Sequence, residues 1–384
     1  MKTTPFLKSS ALLQRLRDKH VSTWLPGYVT KRVGDAMARV LRPAQGTRHL
    51  IVAVCDHFEP NWRTRDRAVA DARSMRWRQE YPALAHRYRD STGRHPRHTF
   101  FVPCEEIEES ALSDLEVLCR AGLAEVEVHL HHEDDDAASL RAQLERGVTM
   151  LADRGHLSRA EDGRPRYGFI HGNWALANAL PDGRHCGVDD ELRVLFATGC
   201  YADFTFPAFP DASQPSIVNR LYWPAQGEAA RRSADRGTPA RVGAFPLDRP
   251  LLVQGPLVPT WTGKRGGVRV DYGALTAHDP ATPSRLRSWL DAAITVEGKP
   301  EWTFVKLHTH GAPEAQATSL LGAGGRALHD ALAERVRDGG WQLHYVTARE
   351  LYNIAAAAML GRGGNPSEHR NARLTPPPIA HQGT

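Results

Sequence analysis

His49-Leu50-Ile51-Val52-Ala53-Val54-Cys55 is an unbroken apolar run that stops abruptly at Asp56-His57-Phe58-Glu59-Pro60. Its β-branched residues favour a strand. A strand without polar alternation is covered on both faces, as in a parallel sheet packed between helices. The polar residues then mark the strand's C-terminal end. The same pattern recurs along the chain. A helix is expected over residues 66–89, a buried strand at His98-Thr99-Phe100-Phe101-Val102-Pro103, and a helix over 110–121. The third strand begins at Glu125-Val126-Glu127-Val128 and is followed by a helix over 136–154. The fourth is Arg166-Tyr167-Gly168-Phe169-Ile170-His171, leaving through Gly172-Asn173-Trp174. A helix over 189–198, stopped by Gly199, leads into the fifth strand, Cys200-Tyr201-Ala202-Asp203-Phe204-Thr205-Phe206.

Further strands are expected at 250–254, 302–310 and 342–346, with helices over 283–296, 320–337 and 348–360. Seven or eight strand–helix alternations predict an α/β domain with a parallel sheet, either closed into a barrel or doubly wound. Residues 1–45 read as a basic helical extension broken at Pro26-Gly27, and 46–360 as the main domain. Residues 207–248, rich in Pro, Gly, Arg and Ser, read as a long excursion or lid. Residues 361–384 read as a disordered tail.

Composition bounds the rest. With 384 residues and 41% apolar content, the chain can build a substantial core. The net charge of +5 is spread out, with no Lys/Arg block interleaved with aromatics, so nucleic acid is not an expected partner. Five cysteines, an odd number without CxxC spacing, argue against a disulfide framework and for a reducing compartment. The first 13 residues lack a signal-peptide apolar core, and no apolar run approaches the ~18 residues of a membrane span. A cytoplasmic protein without membrane insertion is expected. The sequence leaves the oligomeric state unset.

Polar residues gather at strand ends: Asp56 and His57, residues 129–132, His171 and Asn173, Asp203, and His308 with His310. In a barrel these ends converge on one face. The densest is His129-Leu130-His131-His132-Glu133-Asp134-Asp135-Asp136. Neutral imidazoles beside carboxylates suit a divalent cation such as Zn²⁺. Side chains on a strand repeat every second residue, so His129, His131 and Glu133 share a face, and His132 points away unless the strand has ended. A metal there, faced by Asp56 and His308, would polarise a carbonyl and lower the pKa of bound water to about 7. A carboxylate would take the water's proton and an imidazole would return one to the leaving group. That chemistry is hydrolysis of an amide or ester.

Over residues 49–350 these features resemble the polysaccharide deacetylase superfamily, carbohydrate esterase family four, with its chitooligosaccharide-deacetylase homology domain. Val54-Cys55-Asp56-His57 stands where that family has a strand ending in two aspartates, and Thr99-Phe100-Phe101 matches its next strand. The histidines of 129–132 stand at its metal motif. Val305-Lys306-Leu307-His308 matches its acid-bearing strand end, and Val346-Thr347-Ala348-Arg349-Glu350-Leu351 its last strand and helix.

The resemblance implies a distorted (β/α)₇-type barrel and a divalent metal, zinc foremost, held by one Asp and two His. It implies removal of an acetyl group from an N- or O-acetylated sugar, nucleotide sugar or glycan intermediate. On it, Asp56 is either the general base, with His57 a ligand, or itself a ligand, with the base elsewhere, Glu59 being a candidate. His308 is the acid. His129 pairs with His131, His132 or Glu133, because the usual four-residue spacing is absent. His171-Gly172-Asn173-Trp174 replaces an Arg-containing motif. His171 and Asn173 would orient the base or bind the oxyanion. Trp174, Asp203 and His310 complete the residues expected to face substrate. The altered first motif also admits another metal-assisted C–N hydrolase on the same fold, or a glycan-binding chain without turnover.

Overall fold

A computed structural model of the protein describes residues 14, 16–41, 46–225, 231–261 and 267–381. The chain enters through helix α1 (Val21–Leu41) and then alternates. It runs through β1 (Arg48–His57), α2 (Arg67–Ala85), β2 (His98–Pro103), α3 (Glu109–Arg120), β3 (Ala124–Leu130) and α4 (Ala137–Asp153). Next come β4 (Ser158–Arg159), β5 (Pro165–His171), α5 (Glu191–Ala197) and β6 (Cys200–Asp203). Then follow β7 (Leu221–Pro224), β8 (Gly237–Pro239), β9 (Leu251–Val253) and the antiparallel pair β10 (Val258–Trp261) and β11 (Val268–Asp271). The chain finishes through α6 (Pro283–Asp291), β12 (Trp302–Thr309), α7 (Glu314–Leu321), α8 (Ala323–Val336), β13 (Trp341–Tyr345) and α9 (Ala348–Met359).

One mixed sheet organises these elements. Its parallel run is ordered β12-β1-β2-β3-β5-β6-β9, and β7 and β8 continue it antiparallel. The quoted run, β1, is the hub. β12 pairs with it from His49 to Asp56, while its other edge carries β13 over Arg48 to Val52 and then β2 over Val54 to His57. No ladder among the described residues joins β12 to the far end of the sheet. The ends still approach each other: Lys306 Nζ donates to the Phe206 carbonyl at 2.9 Å, and a Cβ placed on Gly255 would lie 2.6 Å from Lys306 O. The sheet is curled, with an open hydrogen-bonded path.

Both faces are buried, as the uninterrupted apolar strands require. Leu50 and Val52 join Trp77 and Leu84 of α2, Leu115 of α3, Leu144 of α4 and Leu328 of α8 in the larger core. We call this the outer face. Ile51, Ala53 and Cys55 point the other way and pack with Phe101, Ile170, Phe304 and the Ala-rich helix α9. This is the inner face. All twelve residues of α9 are buried, and its start is fixed by a reciprocal cap between Thr347 and Glu350.

Several expectations are corrected. α1 continues through Pro26, whose missing N–H affects only the helix's first turns, and Trp24 anchors it against Phe209, Val218 and Leu257. Residues 207–248 contain β7 and β8, with Tyr222 and Trp223 buried, so this stretch extends the sheet. The expected 320–337 helix begins earlier and breaks at Gly322 into α7 and α8. The tail is ordered to residue 381: Arg370 is buried against Asp90 and Glu350, and Asn353 clasps Arg370 and Leu374. Charged and amide groups give that segment specific partners despite its Pro/Gly-rich composition. Residues 1–13 and 382–384 lie outside the described residues. No described helix is long and apolar enough to cross a membrane.

Candidate metal centre

The inner faces of the central strands end in polar residues. On β1 the parity of Ile51, Ala53 and Cys55 ends at His57; on β3 that of Glu125 and Glu127 ends at His129. Just beyond β1, Glu59 turns back between them. His57, Glu59 and His129 are all buried, with ligating atoms within 4.8 Å of one another.

The hydrogen bonding of this trio is incomplete in a specific way. His129 Nδ1 faces the Ile170 carbonyl at 3.1 Å, so Nδ1 donates and Nε2 presents its lone pair. That lone pair meets Glu59 Oε1 at 3.0 Å. Two acceptors so close require a cation between them, either a proton or a metal ion. Burial works against the proton and holds His129 below its ordinary value, although Glu59 partly offsets it. Both ring nitrogens of His57 and Glu59 Oε2 are buried without hydrogen-bond partners. Burial, then the charges of His310 and His129, push His57 well below the usual imidazole range. Burial acts to raise Glu59, but the imidazoles of His129, His131 and His310 outweigh it and keep the carboxylate ionised. Neutral imidazoles and an ionised carboxylate are the protonation states that metal ligation needs.

A rim surrounds the trio. His131 Nδ1 contacts Glu105 Oε1 at 2.6 Å, and its Nε2 lies 3.4 Å from Glu59. Burial opposes charge on this ring, but both carboxylates overcome it and push it up to about 10, so it is cationic at neutral pH. The ring rests on Gly172, where an added Cβ would stand 2.3 Å from its Cδ2. The ring of His310 lies 4.6 Å from that of His57, and 5.9 and 6.5 Å from those of Trp62 and Trp174. His308, on the inner parity of β12, has its ring 6.3 Å from that of His57, and its buried Nδ1 lacks a partner. Burial and then Lys306 hold His308 well below 6.5, so it rests neutral.

The structure divides the expected site residues by strand parity. His57, His129, His131, His308 and His310 gather here; Asp56, His132, His171 and Asp203 do not. Asp56 points to the outer face, where its carboxylate accepts the Gly311 amide at 2.6 Å and contacts His98 Nε2 at 2.8 Å. Its oxygens are committed to protein partners, and α2 covers it through Trp77. His132 and His171 are on the outer side, with ring centroids 4.6 Å apart. Asp203 is engaged by Thr205, whose hydroxyl accepts the His171 amide. The Asn173 backbone amide donates to His171 Nδ1 at 3.2 Å. Within the acidic run, Asp136 caps α4, Asp135 accepts from Gln143, and exposed Glu133 lies beside His185.

Glu105 and Trp62 enter the site without a sequence signal, because each lies in a loop after a strand. Glu59 had one: two residues beyond His57, it shares that residue's face.

No family model matches the chain, and no curated protein matches it.

Proposed function

We propose that the chain is a metal-dependent hydrolase that removes an acetyl group from an acetylated sugar, nucleotide sugar or glycan intermediate. On this reading it is a divergent relative of the polysaccharide deacetylases, and its curled sheet is their distorted (β/α)₇-type barrel without the closing ladder. The observation that carries the proposal is the apposition of the His129 Nε2 lone pair and Glu59 Oε1 at 3.0 Å beside a His57 ring with no partner. His57, Glu59 and His129 would hold the metal, and zinc suits the N₂O donor set. Bound there, such an ion supplies a polarised carbonyl and an acidified water.

The chain's own groups divide the proton work by charge state. His308 rests neutral and takes a proton. His131 rests as the imidazolium and gives one to the leaving group, with Glu105 fixing its ring. The acid role that the resemblance assigns to His308 therefore passes to His131. Asp56 supports β1 from the outer face and is neither ligand nor base. Trp62 and Trp174 flank His310 and offer flat apolar faces of the kind that stack on sugar rings.

The test combines metal analysis with acetate release from acetylated sugars and small amides. Stoichiometric zinc and acetate release from sugars, both lost in His129→Ala, are the expected results. Hydrolysis that survives His129→Ala, or purified protein without divalent metal at the His57 centre, would overturn the proposal. Turnover of small amides alone would move the assignment to a different C–N hydrolase.

A further inference from the structure

His132, His171, Cys186 and Glu191 form a second group, which the proposed reaction does not use. All four are buried, and one ligating atom from each lies within 4.8 Å of the other three. We propose that these side chains hold a structural divalent cation, zinc by its donor set, on the outer face of the sheet.

The geometry suits four-coordination. Bonds of ~2.0–2.3 Å in a tetrahedron put neighbouring ligand atoms roughly 3.3–3.8 Å apart. Here His132 Nε2 lies 3.2 Å and His171 Nε2 3.8 Å from Glu191 Oε1, and Cys186 Sγ lies 3.3 Å from Glu191 Oε2. His171 Nε2 is fully buried, aimed at this carboxylate, and without a hydrogen-bond partner. Asp135 Oδ2 lies 3.2 Å from His132 Nδ1, the position from which a carboxylate orients a ligating imidazole. The second oxygen of Glu191 also accepts the Ala177 amide at 2.7 Å, which fixes the carboxylate.

Charge and protons balance. A dication with one carboxylate and one thiolate is neutral, which a buried site requires. Cys186 releases its thiol proton to solvent on ligation, and any second proton on His132 leaves with it. Ligation by His171 through Nε2 moves its ring proton to Nδ1 and ends the 3.2 Å bond from the Asn173 amide.

The four ligands come from the end of β5, the exit of β3, the loop between β5 and α5, and the first turn of α5. That loop, residues 172–190, contains no helix or strand and places Trp174, Ala177, Asn178 and His185 at positive φ. Four protein ligands leave no open coordination position, so the role is to brace this loop. The loop carries Trp174 to the rim of the inner centre, and His132 is bonded in sequence to His131.

The experiment loads the full chain with cobalt(II) and records its absorption spectrum. Cys186 is the only cysteine in either group, so a thiolate-to-cobalt charge-transfer band reports this site alone. The band is expected in the wild type and in His57→Ala, and is expected to vanish in Cys186→Ser together with one bound cation per chain. If Cys186→Ser does not fold, the wild-type spectrum decides by itself. A fully loaded wild type without the band, or a band that persists in Cys186→Ser, would overturn the assignment. The band without hydrolysis sinks only the proposed reaction. Hydrolysis without the band sinks only this site.

Discussion

His131 and His132 are consecutive residues that serve opposite faces of one sheet, as are Asp56 and His57 on β1. The inner group, around His57, Glu59 and His129, opens to a rim where His131 and His310 keep 29% and 32% side-chain exposure. The outer group is closed: the side chains of His132, His171 and Glu191 have 0%. The comparison teaches that imidazole and carboxylate content does not define a role. Both groups are buried and both keep unpartnered ligand atoms; a group whose rim is exposed suits chemistry, and an enclosed group with four converging ligands suits bracing. Strand parity, more than distance along the chain, sorts residues between the two.

The sharpest challenge to that division is Asp56. Its carboxylate accepts the Gly311 amide and contacts His98, and hydrogen bonds to a charged group contribute about 1.5–3 kcal/mol. Asp56→Asn should lower the unfolding free energy by that amount in urea titration while metal content and kcat stay near wild type. A collapse of kcat with stability unchanged would put Asp56 back in the chemistry and break the parity argument.

Glu105→Gln probes the inner rim. Loss of a carboxylate that orients a working histidine typically costs 10–100-fold, and kcat should fall within that range. The pH profile carries the sign. The Glu105 carboxylate favours the charged form of the His131 ring, which supplies its proton while charged, so activity falls as pH rises through its titration. Without the Glu105 charge the ring loses its proton more easily, and the alkaline limb should move to lower pH. An unmoved limb would remove His131 from proton transfer.

The smallest effect belongs to the aromatic rim. Stacking contacts contribute ~0.5–1.5 kcal/mol, roughly two- to tenfold in KM. Trp62→Ala and Trp174→Ala should each raise KM for a sugar substrate by such a factor with kcat little changed. If Trp174→Ala changes thermal stability and leaves KM alone, the ring is a packing element of the 172–190 loop.

Much of the architecture was legible in the sequence because it rests on local signals. Apolar runs bounded by polar ends marked β1, β2, β5 and β12, strict alternation marked β3, and the succession of strands and helices implied a parallel sheet. The tail was misread because composition does not register Arg370 finding Asp90 and Glu350. The candidate site was half legible. His129 stood out through its neighbours, and His57 through its place at the end of an apolar run. Asp56 was overvalued because resemblance favoured an acid there, whereas pleating turns it under α2.

By itself, then, the sequence determined the central strands β1, β2, β3, β5 and β12, which of their ends are polar, and that histidines and acids crowd those ends. These are properties of periodicity and local chemistry. Only the tertiary structure decided that His57, Glu59 and His129 form one group and His132, His171, Cys186 and Glu191 another. The reason is geometric: parity within a strand is local, but the residues that meet across strands and loops depend on sheet order, register and curl. Cys186 and Glu191 reach His132 only because β3 and β5 are neighbours and the loop after β5 folds back over the outer face.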